Sequence, residues 1–149
     1  DMAGLIGQYV HGNEPSHHIA YLYDAVGEGA KAQKEIRSLM ESEYRDGPGG
    51  LAGNDDAGQM SAWYVMSALG FYEVCPGIPE YWLGSPRFDD ATIALPNNRK
   101  LHIIAKGADA GKVYVRSVTL NGKRISGYKL THEQIAAGGM LRFEMSATP

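Results

Sequence analysis

Two stretches of this chain gather residue types that could do chemistry. The first is His11-Gly12-Asn13-Glu14-Pro15-Ser16-His17-His18, and the second runs from Gly49 through Gly53-Asn54-Asp55-Asp56-Ala57-Gly58-Gln59. Their oxygen donors, Asn13, Glu14, Asn54, Asp55 and Asp56, suit a hard cation such as calcium, although no EF-hand spacing is present. Asp55 and Asp56 are adjacent carboxylates at a predicted helix start. Like charges so close resist joint ionisation, while free N–H groups at a helix N-terminus favour an anion. One aspartate capping the helix while the other stays solvated is the plainer reading of the same pair, and Glu14 read plainly is a surface charge. His11, His17 and His18 fit no HExxH pattern, and neighbouring helical positions point about 100° apart, so His17 and His18 are poorly placed to share a zinc ion. One histidine is expected to bind a ligand hydroxyl and another to support it, with a core or capping role for at least one of the three. Cys75 lies beside prolines, far from any predicted histidine partner, and makes a weak nucleophile.

The elements that would position these loops are helical. Met2, Leu5, Ile6 and Tyr9 keep the spacing of a helix face, so residues 1–10 read as the tail of a longer helix, and the chain as a piece of a longer protein. Ile19, Leu22, Tyr23 and Val26 mark a helix of about three turns with Ser16 placed to cap it. Ala32, Ile36, Leu39 and Met40 mark another, running to about Tyr44. Met60, Trp63, Met66 or Ser67, and Leu69 mark a third, capped by Asn54 or Asp55 and stopped by Gly70. The first two are joined by the short Gly27-Glu28-Gly29 connection, which makes them antiparallel neighbours. The first polar loop precedes one and the second follows the other, so both loops are expected at the same end of the pair.

After about residue 72 the pattern turns to strands, at 92–95, 101–105, 113–120 and 141–145, with turns at Pro96-Asn97-Asn98 and Asn121-Gly122 and a one-turn helix start at Thr131-His132-Glu133-Gln134. Trp63, Tyr64, Tyr81 and Trp82 are expected in packing rather than on a ligand platform. The fold class read from this is α+β, with residues 1–72 helical and residues 73–149 an antiparallel β segment. The chain has 149 residues, a net charge of −3, 44% hydrophobic residues and one cysteine. A nucleic-acid binder would need a basic surface. No apolar run approaches the ~18 residues of a membrane helix, and one cysteine excludes an internal disulfide.

HGNEPSHHIAYLY and GLAGNDDAGQMSAWYVMSALGFYEVCPG resemble signature segments of glycoside hydrolase family 92, the calcium-dependent exo-acting α-mannosidases. EYWLGSPRFDDATIAL, SVTLNGKRI and THEQIAAGGMLRFEM look like that family's C-terminal portion, so the resemblance covers essentially the whole chain. It implies the last helices of an (α/α)6 barrel followed by an antiparallel sheet, in a secreted or periplasmic enzyme that removes terminal, often α-1,2-linked, mannose with inversion. The family motif places the general base on Asp56 with Asp55 as its acidic neighbour. It implies sugar contacts from His11, Asn13, Glu14 and His17, and Ca2+ held by Asn13, Glu14 and Asn54. The family's general acid lies in an upstream motif that this chain lacks, so the chain alone is expected to be inactive. Ala57 stands where relatives often carry cysteine, a change expected to touch packing. The implied partners are a mannose-containing glycan and the remainder of the parent polypeptide, with self-association of the isolated chain. A non-catalytic carbohydrate-binding or structural module, and a zinc hydrolase built on His11, His17 and His18, are the competing readings.

Overall fold

The computed structural model describes residues 4–149. The chain opens with a small antiparallel hairpin, β1 (Leu5–Ile6) and β2 (Tyr9–Val10). This corrects the helical reading of residues 4–10; Met2 lies outside the described residues. Gly4 and Gly7 sit at φ +65° and +60°, a left-handed backbone that interrupts a helix and closes a tight turn. Apolar spacing alone does not register that break.

The next segment also departs from expectation. In place of a three-turn helix there are 3-10 turns at Glu14–Ser16 and Ile19–Tyr21 and a single α-turn, α1 (Leu22–Ala25). Pro15 occupies the first of these turns, and Ser16 lies within it instead of capping a helix. The buried side chains are Ala20, Tyr21 and Asp24, whereas Ile19, Leu22 and Val26 are exposed. Tighter 3-10 winding rotates the inward face away from the one a 3.6-residue period selects.

The two long helices follow their patterns. α2 (Gly29–Ser42) buries Ala32, Ile36, Leu39 and Met40, and α3 (Gln59–Leu69) buries Met60, Trp63, Ser67 and Ala68. Gly70 ends α3 at φ +100°, and its N–H closes on the Met66 and Ser67 carbonyls. Asp55 serves the start of α3 from outside the helix, with Oδ1 accepting from the Ser61 N–H at 2.9 Å and Oδ2 from the Ser61 hydroxyl at 3.1 Å.

The remaining strands are β3 (Phe71–Tyr72), β4 (Glu80–Leu83), β5 (Asp90–Ala94), β6 (Lys100–Ile104), β7 (Tyr114–Leu120), β8 (Lys123–Arg124), β9 (Lys129–Thr131) and β10 (Gly139–Ser146), with α4 (His132–Ala137) before the last. They form a three-stranded sheet in the order β3-β4-β9 and a five-stranded sheet in the order β5-β6-β10-β7-β8. All pairings but one are antiparallel; β6 and β10 run parallel, a departure from the all-antiparallel expectation. Asn121 and Gly122, at φ +51° and +79°, make the expected tight turn between β7 and β8. Thr131 caps α4 reciprocally with Gln134, at 3.2 and 2.8 Å.

Two apolar clusters meet across α3 and β3. One packs Tyr21, Ile36, Leu39 and Trp63 among the helices, and the other packs Phe71, Leu101, Ile103, Leu141 and Phe143 around the sheets. α2 ties the two together through polar groups. The Gln33 side chain accepts from the Val115 N–H at 2.9 Å. The buried Arg37 guanidinium donates to the carbonyls of Ala108 and Pro86 and to the Ser85 hydroxyl. Among the described residues no helix is long and apolar enough to cross a membrane.

Candidate active site

The two polar loops do converge. They touch at Gly12 and Gly53, where a side chain on Gly53 would place its first carbon 2.9 Å from the Gly12 carbonyl oxygen. Bare backbone is what lets them approach.

Beneath this contact lies a hydrogen-bonded aromatic cage. His11 is fully buried, its Nδ1 2.7 Å from the Tyr9 hydroxyl and its Nε2 2.7 Å from the Tyr44 hydroxyl. Tyr44 donates its proton to the Met60 carbonyl at 2.9 Å, so it accepts from His11 Nε2–H, and Tyr9 donates to the bare Nδ1. His17, 1% exposed, donates from Nε2 to the His11 carbonyl at 2.9 Å, which leaves its Nδ1 to accept from the Gln59 amide at 3.2 Å. Gln59 also donates to the Tyr72 hydroxyl at 3.1 Å, and the Trp63 indole N–H donates to the His17 carbonyl at 3.0 Å.

Both imidazoles are therefore neutral. Burial, reinforced by His17, pushes the His11 pKa down to about 3, and burial lowers that of His17 as well. The expected contact of His11 and His17 with sugar hydroxyls is corrected here: every ring nitrogen already has a protein partner, and the two side chains brace the loop from below. Sequence reading missed the rest of the cage, Tyr9, Tyr44, Gln59 and Tyr72. Gln59 closes the second flagged stretch and Tyr9 lies two residues before the first, but neither was read as part of the site.

Above the cage, the rim carries carboxyl groups. Glu14 is half-buried, and no N–H or O–H donor among the described residues reaches its Oε1. What faces the Glu14 carboxyl is Asp56. A hydrogen bond with Glu14, the charge on Glu14, and the nearby Asp55 together hold the exposed Asp56 carboxyl above the usual carboxylate range. Asp56 and Ala57 take left-handed backbone, φ +43° and +60°, and Gly58 follows at +91°. Two consecutive non-glycine residues in that region store strain, on the order of 1 kcal/mol or more each. Ala57 is exposed, so its side chain belongs to this turn; the packing role expected for it is not what the structure displays.

Asn13 and Asn54 are exposed on the same two loops. Among the described residues no group of three or more histidine, cysteine, aspartate or glutamate side chains is arranged around a common metal position. The histidine pair is thus committed to packing, and the rim offers two facing carboxyls flanked by amides.

Comparison with known proteins gives this geometry a family. A model of the glycosyl hydrolase family 92 catalytic domain matches residues 1–147. A curated relative described as an uncharacterized secreted glycosidase, from Arthroderma benhamiae, is 31% identical over 137 residues, covering 90% of this chain and 18% of its own length. A solved family GH92 α-mannosidase from Bacteroides thetaiotaomicron, in complex with mannoimidazole, superposes with a TM-score of 0.94 at 42% identity, covering 100% of this chain and 20% of its own. A GH92 inverting mannosidase from Bacteroides thetaiotaomicron VPI-5482 gives 0.88 at 44% identity, with 96% and 19% covered. The chain spans about a fifth of the length of these relatives. On the family match along nearly its whole length, the chain belongs to glycosyl hydrolase family 92.

Proposed function

We propose that this chain supplies the water-activating side of a calcium-dependent, inverting exo-α-mannosidase, with Asp56 as the general base. The observation that carries the reading is the meeting of the two loops at Gly12 and Gly53, which leaves Asp56 exposed at the rim they share with Glu14. An inverting glycosidase needs a base that polarises water on the face of the sugar opposite the departing group, roughly 6.5–9.5 Å from the acid. Asp56 has the attributes of such a base. It is exposed to water and lies on the loop that meets Glu14. Its backbone is held by a strained turn seated on α3. Asp55, bound to Ser61, secures that turn and stays out of the proton transfer.

Calcium fits the same rim. Glu14 presents an enclosed oxygen without a donor, and carboxylate and amide oxygens are the ligands this ion selects. Asn13, Glu14 and Asn54 would hold it. Bound there, the ion would supply ligation of mannose hydroxyls and favour a distorted ring. Exposed Asn13 is the amide available to a sugar hydroxyl; His11 and His17 fix the backbone that carries it.

We read residues 1–72 as the last part of an (α/α)6 barrel and residues 73–149 as the sheet that packs against it. The general acid belongs to the remainder of the parent polypeptide, and the substrate is a mannose-terminated glycan, with α-1,2 linkage the preferred case. Secretion or periplasmic export suits such a substrate and agrees with the description of the fungal relative.

The test is to follow hydrolysis of an aryl α-mannoside by the intact protein with NMR, with and without a calcium chelator. Release of β-mannose as the first product, lost on chelation and restored by calcium, is the expected result. Release of the α-anomer first, or activity restored by zinc and not by calcium, would overturn it.

A further inference from the structure

The two loops touch at Gly12 and Gly53, yet among the described residues no backbone hydrogen bond joins them. Contact between bare backbones limits how near the loops come without fixing their offset. That offset is set from below, by side chains. From α3, Gln59 and Trp63 both reach the first loop at one residue, His17. Tyr44 does more, because it joins three elements.

Tyr44 stands just past the end of α2, outside both loops. Its backbone bridges to Leu51, and the neighbouring Arg45 N–H donates to the Gly50 carbonyl at 2.9 Å, which ties it to the second loop. Its hydroxyl accepts from His11 at 2.7 Å and donates to the Met60 carbonyl, in the first turn of α3, at 2.9 Å. On the first side, His17 donates to the His11 carbonyl and closes the loop that carries Asn13 and Glu14. On the other, the Met60 N–H donates to the Asp55 carbonyl and the Gln59 N–H to the Asp56 carbonyl, both at 3.3 Å. The Tyr44 ring lies parallel to Trp63, with centres 5.9 Å apart and planes 6° apart, and meets His11 edge-on at 5.3 Å. Held at its faces, its edge and its tip, the side chain makes its hydroxyl a fixed point between the loops.

We propose that Tyr44 is a positioning residue for the reaction, its hydroxyl setting the offset between the loop that carries Asn13 and Glu14 and the turn that presents Asp56. The role rests on the reading of Asp56 as the base and of Asn13, Glu14 and Asn54 as calcium ligands. Tyr44 acts on them only through His11, Leu51 and Met60.

Tyr44→Phe and Tyr9→Phe in the intact protein test it. Each keeps the ring and removes one hydroxyl from a nitrogen of the same buried histidine, so their melting temperatures should fall by similar amounts. Only Tyr44→Phe also releases the Met60 carbonyl. Its kcat for an aryl α-mannoside should fall about 10- to 10²-fold, because a small misplacement of a reacting group suffices. Its Kd for calcium, by calorimetric titration, should rise about 10-fold. Both changes should be smaller in Tyr9→Phe, and crystals of Tyr44→Phe should show the Glu14 and Asp56 carboxyls displaced relative to one another. Equal losses in the two variants, or a rim in Tyr44→Phe that superposes on the native one, overturn the proposal. Native kcat and calcium affinity in Tyr44→Phe, with Asp56→Asn inactive, overturn it and leave the mannosidase reading standing. Native turnover in Asp56→Asn overturns the general-base reading and the proposal with it.

Discussion

Asp55 and Asp56 are neighbours in the chain, yet their carboxyls go to different partners. Asp55 turns inward to the backbone and hydroxyl of Ser61, while Asp56 turns outward to Glu14 on the other loop. The divergence follows from the left-handed backbone that starts at Asp56. One residue thereby ties down the helix start and the other is presented at the rim. The adjacent carboxylates separate, one tied to Ser61 and the other left exposed at the rim.

The cage beneath the rim is predicted to be energetically coupled to it through Gln59. Gln59→Leu removes the donor to both His17 and Tyr72 and leaves the buried His17 Nδ1 without a partner. The expected cost is about 1–3 kcal/mol, read as a lower denaturation midpoint. The loop bearing Glu14 loses its brace as well, so kcat of the intact protein should fall with it. An unchanged midpoint would show that the amide is dispensable.

Asp24 predicts a stability that declines as pH rises. Its folded pKa of about 7 lies above the ordinary value of 3.8, so between these limits the folded state holds a proton that the unfolded state has lost. The resulting stabilisation is complete below pH 4 and disappears as pH climbs through 7, at about 1.4 kcal/mol per unit. Asp24→Asn removes this dependence. The variant should gain on the native protein steadily from pH 4 to pH 7, measured as the difference between their unfolding free energies. Parallel curves across that range would contradict the account.

Much of the scaffold was legible beforehand, and the physical reasons are specific. α2 and α3 bury a face with a clean 3.6-residue period, and Asn121-Gly122 admits few turns but the one it makes. The convergence of the loops followed from the short Gly27–Gly29 connection alone. Where reading failed, a local backbone effect outweighed apolar spacing: Gly4 and Gly7 bent the first segment into a hairpin, and Pro15 set off 3-10 winding that put Asp24 inside and Val26 outside. The strands β3, β4 and β9 are two to four residues long, too short for alternation to register. At the site, the residue types at the rim were visible and a core or capping role was expected for at least one histidine, but not that both His11 and His17 are buried. Nothing in a histidine's neighbours along the chain reveals that tyrosines 2 and 33 residues away will occupy its nitrogens.

The 149-residue chain expressed by itself is predicted to be inactive on a chromogenic α-mannoside with calcium present, because the proposed mechanism draws its general acid from the remainder of the parent polypeptide. It should also self-associate. Ile6 and Ile19, 46% and 42% exposed, line one groove, and Leu22 and Val26 stand exposed on the adjoining turn. Apolar patches of this kind seek partners. Sedimentation should show mass increasing with concentration; a clean monomer at high concentration, or detectable turnover, would refute the respective half of this prediction.

The most direct test compares two substitutions one position apart in the intact protein. Asp56→Asn should reduce kcat for an aryl α-mannoside by about 10²- to 10⁴-fold with KM and melting temperature nearly unchanged. Asp55→Asn should chiefly lower the melting temperature, since it weakens the hold on Ser61. Near-native turnover by Asp56→Asn would contradict the assignment of the water-activating base.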